Sequence, residues 1–127
     1  MMGSWKSTVG KQLSKALNMK FIDIDDCIED IMEMKIVDIF KEFGENKFRE
    51  MESAFFIEKA KQTGYVFSTG GGIILNDGNR EILKNGITIL LDANSKILAN
   101  RINNTKKRPL LLGAEDLEKS IKAILIK

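Results

Sequence analysis

The sequence predicts an α/β fold, a parallel sheet with helices on both faces, and three observations lead there. Phe21–Asp25, Tyr65–Thr69 and Ile87–Leu91 have the short β-branched and aromatic character of strands. Longer stretches with apolar residues at helical spacing lie between and after them. Strands that alternate with helices join through crossovers into a parallel sheet. In such sheets, ligands bind beyond the carboxyl ends of the strands.

The chain opens with Gly3-Ser4-Trp5-Lys6-Ser7-Thr8. This is most of a phosphate-binding loop, G-x-x-x-x-G-K-[ST], in which backbone amides wrap phosphates, the Lys reaches the β/γ-phosphates and the Ser or Thr holds Mg²⁺. Lys6 and Ser7 fit the pattern, whereas Trp5 stands where a Gly is expected. Val9, Leu13, Ala16 and Leu17 follow at i, i+4, i+7 and i+8, so a helix starts here and its N-terminus favours an anion. The competing reading is an ordinary helix start capped by Ser4 or Ser7.

Phe21-Ile22-Asp23-Ile24-Asp25 alternates apolar and acidic residues and reads as a strand. Its period of two puts Asp23 and Asp25 on one face. They suit a divalent cation and a substrate hydroxyl, or a plain turn in which Asp25-Asp26 caps the next helix. A helical segment from Asp26 carries Ile28, Ile31 and Met32. A second carries Ile36, Ile39 and Phe40 and stops at Gly44, a C-cap.

The longest helix runs from Glu45 to about Gln62, with Phe48, Met51 and Phe55 on one face. Arg49 and Glu52 sit at i, i+3 and can pair. They form either a solvated surface pair or an Arg braced so that its fork clamps a carboxylate. Tyr65–Thr69 runs into Gly70-Gly71-Gly72. Three successive glycines forfeit backbone entropy, so something is expected to approach this backbone closely. After the Ile87–Leu91 strand comes a helix from about Ser95 to Asn103. A basic loop around Arg108-Pro109 and an amphipathic segment with Leu117, Ile121, Ile124 and Leu125 complete the chain.

Composition bounds the chemistry. A chain of 127 residues with 43% hydrophobic and 30% charged residues is one globular domain, residues 1–127. A net charge of +2 argues for neither nucleic-acid nor membrane partners, and no apolar run is long enough to span a bilayer. One Cys and no His exclude a zinc site and a Ser-His triad and point to the cytoplasm. Carboxylates, Lys, Arg, backbone amides and a bound metal remain.

In this order and at these separations, the pieces resemble shikimate kinases. They are Gly3 to Lys11, Phe21 to Glu29, Gly44-Glu45-Asn-Lys-Phe48-Arg49-Glu-Met-Glu52, Thr69 to Gly72, Asn79-Arg80 and Arg108-Pro109-Leu110-Leu111. The resemblance implies a P-loop kinase-type sheet and ATP-dependent phosphorylation of the 3-hydroxyl of shikimate, on the route to chorismate and the aromatic amino acids. It gives Gly3, Ser4, Trp5, Lys6, Ser7 and Thr8 to the ATP phosphates and Ser7 and Asp23 to Mg²⁺. Catalytic roles fall to Lys6, Asp25 and Arg108. Asp25, Arg49, Gly70, Gly71 and Gly72 would bind shikimate, and Arg108, in a lid over residues 104–113, would also contact ATP.

The family pattern further implies a central first strand before residue 1. It also implies a strand, a helix and a second substrate-binding Arg after Lys127. A chain without them, and with Trp5 in the loop, is expected to be an impaired kinase. A non-catalytic shikimate-kinase-like binding protein and another small-molecule P-loop kinase are the alternatives. The intact family member is expected to be a monomer.

Overall fold

The computed structural model describes residues 5–91. Helix α1 (Lys6–Ala16) leads to strand β1 (Lys20–Asp23), helix α2 (Ile24–Met32) and helix α3 (Ile36–Ala60). Strand β2 (Tyr65–Ser68), a 3-10 turn over Gly71–Leu75 and helix α4 (Asp77–Asn85) follow. The strands pair in parallel, with Lys20 opposite Tyr65, Phe21 opposite Val66, Ile22 opposite Phe67 and Asp23 opposite Ser68. The long crossover through α2 and α3 makes that parallel pairing possible.

Alternation along the strands distributes the helices. Ile22 and Phe67 face one way, and Phe67 meets Phe56 of α3 edge to face at 5.5 Å between ring centroids. Phe21 points the other way, toward α1, where a methyl group on Gly10 would lie 2.6 Å from its ring. The sheet therefore has α1 on one face and α3 on the other, as expected. Ile24, Ile28, Ile39, Phe48, Phe56 and Ile73 form the buried core on the α3 side.

Four details differ from the sequence expectation. β1 stops at Asp23, because Asp23 turns into the N-cap of α2 and its side chain accepts the backbone N–H of Asp25 at 3.2 Å. Asp25 accordingly sits in the first turn of a helix and not on a strand face shared with Asp23. In α1, Gly10 and Ser14 are buried while Val9 and Leu17 are exposed. The helix approaches Phe21 through its small residues, which overrides the apolar spacing.

Residues 87–91 form no strand. Ile87 is 96% exposed, and among the described residues no strand pairs with this segment. β-branched residues favour a strand, but its hydrogen bonds need a neighbour. Finally, α4 occupies a stretch for which the sequence reading named no element. It is started by Asn76, whose side chain accepts the Asn79 N–H at 3.1 Å, and it packs Ile82 and Leu83 against the core.

Gly44 behaves as expected in one respect. With φ 80° and ψ 166° it breaks α3 into two helical runs, a conformation open to glycine because it has no Cβ. The expected helix at 95–103, the lid at 104–113, the final amphipathic segment, and Gly3, Ser4 and Arg108 lie outside the described residues.

Candidate active site

The site forms where the two strands end. Lys6 begins α1 and Ser7 follows it, with no acidic residue in the first turn to offset the positive end of the helix. The Ser7 hydroxyl donates to Asp23 Oδ2 and lies 3.5 Å from the Ser68 hydroxyl. Register explains the meeting. Asp23 and Ser68 are the paired last residues of β1 and β2, on the face that carries α1. Asp23 uses its other oxygen to cap α2 at Asp25, so one carboxylate joins the start of α1 to the start of α2.

On the α3 side, Arg49 Nη1 donates to Glu52 Oε2 at 2.8 Å, while Nε and Nη2 donate to Glu45 Oε1 at 3.3 and 3.1 Å. The guanidinium also sits 5.2 Å from the Phe48 ring centroid. The solvated-pair reading of Arg49 and Glu52 does not hold, because the Glu52 side chain is 1% exposed and that of Arg49 only 24%. Burial works to depress the Arg49 pKa, but the hydrogen bonds and charges of Glu52 and Glu45 outweigh it and raise it above the ordinary range. Arg49 is thus a permanently charged, oriented fork.

The glycines explain their own number here. A methyl group on Gly72 would enter the Arg49 guanidinium, and one on Gly70 would lie 2.9 Å from Glu52 Oε1 and 3.7 Å from Asp25 Oδ1. What approaches the backbone at Gly70 and Gly72 is therefore the protein's own ion pair. A methyl group on Gly71 would meet nothing within 4 Å, and Gly71 is exposed.

Of the residues singled out from sequence, the structure brings Ser7 to Asp23, and gathers Asp25, Arg49, Gly70 and Gly72 around Glu52. Lys6 heads α1, and Thr8 is exposed on it. Trp5 precedes α1 with φ 65° and ψ 21°, the left-handed conformation in which a glycine would be unstrained. The residue is 55% exposed.

Comparison with known proteins gives the family of the chain. A family model described as shikimate kinase matches residues 2–126. The chain belongs to the shikimate kinase family. Members of this family are ATP-dependent kinases. The chain is 41% identical over 125 residues to the shikimate kinase of Caldanaerobacter subterraneus, covering 98% of this chain and 72% of that protein. To the shikimate kinase of a Sulfurihydrogenibium species it is 48% identical over 111 residues, covering 87% of this chain and 67% of the relative. Among solved structures, shikimate kinase from Acinetobacter baumannii in complex with shikimate superposes with a TM-score of 0.92 at 36% identity, over 98% of this chain and 70% of that one. The enzyme from Bacteroides thetaiotaomicron superposes at 0.83, also at 36% identity, over 98% and 72%.

Asn79 entered the sequence reading only within the Asn79-Arg80 match to the shikimate kinases and was given no role there. It is fully buried and joins α4 to α3. The available signal was a polar residue three positions after a capping Asn, at the head of a segment with few apolar residues.

Proposed function

We propose that this chain phosphorylates the 3-hydroxyl of shikimate with ATP, acting as a monomer in the cytoplasm on small molecules, without nucleic-acid or membrane partners. The observation that carries this reading is the Asp23 carboxylate. It joins Ser7, at the proposed phosphate-loop helix, to Asp25, which approaches Gly70 together with Glu52, the brace of Arg49. A nucleotide phosphate at the first and a hydroxylated acid at the second would meet end to end. Phosphoryl transfer needs that positioning more than it needs covalent chemistry.

In this reading Lys6 and the amides at the start of α1 hold the phosphates, and Arg49 holds the shikimate carboxylate through its fork. Asp25 orients the 3-hydroxyl and takes its proton as the oxygen attacks the γ-phosphorus. The bond to the β-phosphate oxygen breaks, leaving ADP and shikimate 3-phosphate. Gly71, with open space before it, offers its backbone to the substrate. Arg108 neutralises charge from the lid.

Ser7 and Asp23 fit Mg²⁺. They are two hard oxygen donors already in contact, and this ion commonly takes one or two protein ligands, substrate phosphate and water. Bound there, Mg²⁺ supplies neutralisation of the phosphate charge. Among the described residues no helix is long and apolar enough to cross a membrane.

Trp5 favours a second reading, ligand binding without transfer. An indole stands at the loop position that lies against phosphate, on a backbone shaped for glycine. ADP release measured with and without shikimate, beside calorimetric titration of shikimate, separates the two. Turnover that depends on shikimate supports the kinase, and shikimate binding without turnover supports the second reading. Turnover with a different polyol or hydroxy acid would make the chain another small-molecule kinase.

A further inference from the structure

We infer that Asn79 is a positioning residue of the substrate site, an inference that rests on the shikimate-binding reading above. Its side-chain amide Nδ2 donates to Ser53 Oγ at 2.9 Å and to the Ile73 carbonyl at 3.0 Å. Both acceptors are neighbours of the site in sequence. Ser53 follows Glu52, the residue that braces Arg49, and Ile73 follows Gly72, the residue that Arg49 lies against.

One amide group therefore ties the α3 side of the site to the glycine turn. These parts come from segments about twenty residues apart and share no backbone hydrogen bond that would set their spacing. The spacing matters because clearance is nil. A methyl group at Gly72 already collides with Arg49, so a shift of the turn toward α3 displaces the guanidinium, and a shift away removes its floor.

The bland account is that Asn79 merely stabilises the core, and two observations speak against it. Asn79 is 0% exposed, and among the described residues its side chain is bonded through Nδ2 alone, twice, with none to Oδ1. An apolar side chain of that size would fill the space equally well for packing alone. What it could not do is donate two hydrogen bonds at once, one to each half of the site. Its backbone N–H is separately used by the Asn76 cap, so the role belongs to the side chain.

The test uses the full chain with two substitutions. Asn79→Asp keeps the shape and removes both donors. Ser53→Ala keeps Asn79, removes one acceptor, and is the milder change should Asn79→Asp fold poorly. Calorimetric titrations with shikimate and with ADP are run well below each variant's melting temperature. The expected result is a loss of shikimate affinity of about tenfold or more, as for a misplacement near 1 Å, with ADP affinity unchanged. Unchanged shikimate affinity in a folded variant overturns the inference. An equal loss for both ligands also overturns it, since that is what general loosening would produce. If the unmodified chain itself fails to bind shikimate, the substrate reading falls and this inference with it. Binding by the unmodified chain that the variants match overturns the inference alone.

Discussion

The Arg49 guanidinium occupies the space that a side chain on Gly72 would need. Glu52 holds the same guanidinium from beneath at 2.8 Å and is itself buried, with Gly70 closing over its other oxygen. The glycine run and the ion pair, nearly twenty residues apart in the chain, are thus two halves of one fitted arrangement. Either half can be perturbed separately, which makes the site open to test.

Gly72→Ala should expel the guanidinium from its seat and leave Glu52 poorly paired. Removing one partner of a buried pair costs about 3–5 kcal/mol, which bounds the loss of stability from above. Shikimate affinity should fall with it. Gly71→Ala, whose methyl group meets nothing, should change stability by no more than about 0.5 kcal/mol. Thermal melts of the two variants beside the parent chain provide the comparison. Equal melting temperatures for both would contradict the packing described.

Arg49→Lys retains the charge and loses the planar fork that serves Glu45 and Glu52 together. Weaker shikimate binding is expected by calorimetry, with nucleotide binding untouched. Equal shikimate affinity would confine Arg49 to its ion pairs and remove it from substrate recognition.

Asp23→Asn separates the two tasks of that carboxylate. Asn caps a helix as well as Asp does, so the bond to the Asp25 amide survives and the melting temperature should move little. The negative charge beside Ser7 disappears, so the Mg²⁺-dependent part of nucleotide affinity should fall. Asp23→Ala should lose the cap as well, at a cost of about 1 kcal/mol. Nucleotide titrations with Mg²⁺ and with a chelator, alongside melts, read both effects. An Asp23→Asn variant with full Mg²⁺ dependence would dismiss Asp23 from the metal.

Trp5→Gly relieves a left-handed residue, worth about 1–2 kcal/mol, and loses about 0.5–1 kcal/mol to chain entropy. The net change in stability should therefore be small and favourable. If residues 3–8 hold the nucleotide phosphates as proposed, nucleotide affinity should rise, because an indole is removed from that loop. Unchanged affinity for ADP would show that Trp5 does not obstruct it.

Cys27 is shielded by partial burial and ringed by Asp30, Asp23 and Asp26, all of which push its thiol pKa up. The folded state thus disfavours the thiolate, and the contribution to stability is present at neutral pH and lost as pH rises past the ordinary thiol range. Labelling by a thiol reagent should be slower than for a free cysteine, with its pH-rate curve displaced upward. Rapid labelling at pH 7 in the folded chain would contradict this electrostatic setting.

The functional vocabulary of the chain was legible in one dimension. Lys6-Ser7 before a helix, the acidic pair, Arg49 with Glu52, and the triple glycine were each visible by residue type and spacing, but each kept a plain structural alternative, and only their order along the chain pointed to one family. Gly44 and β2 were legible for the same reason, since each rests on local conformational preference. Local preference was not enough at Asp23–Asp25. Alternation predicts a continued strand, but once Asp23 pairs opposite Ser68 its carboxylate is placed to cap the next helix, and the cap wins.

Tertiary packing decided the remainder. Which face of α1 turns inward follows from how near a helix can come to Phe21, and small residues permit the nearer approach. The stretch Ile87–Leu91 has a strand's composition but no described neighbour to complete its hydrogen bonds. The purpose of the glycines, and of Asn79, appears only when α3 and the turn after β2 are brought together. By itself the sequence determined which chemical groups are present and which local turns and helices they start. Only the folded chain decided which groups touch, because contact depends on the spacing between segments far apart along the backbone, and no local preference encodes that distance.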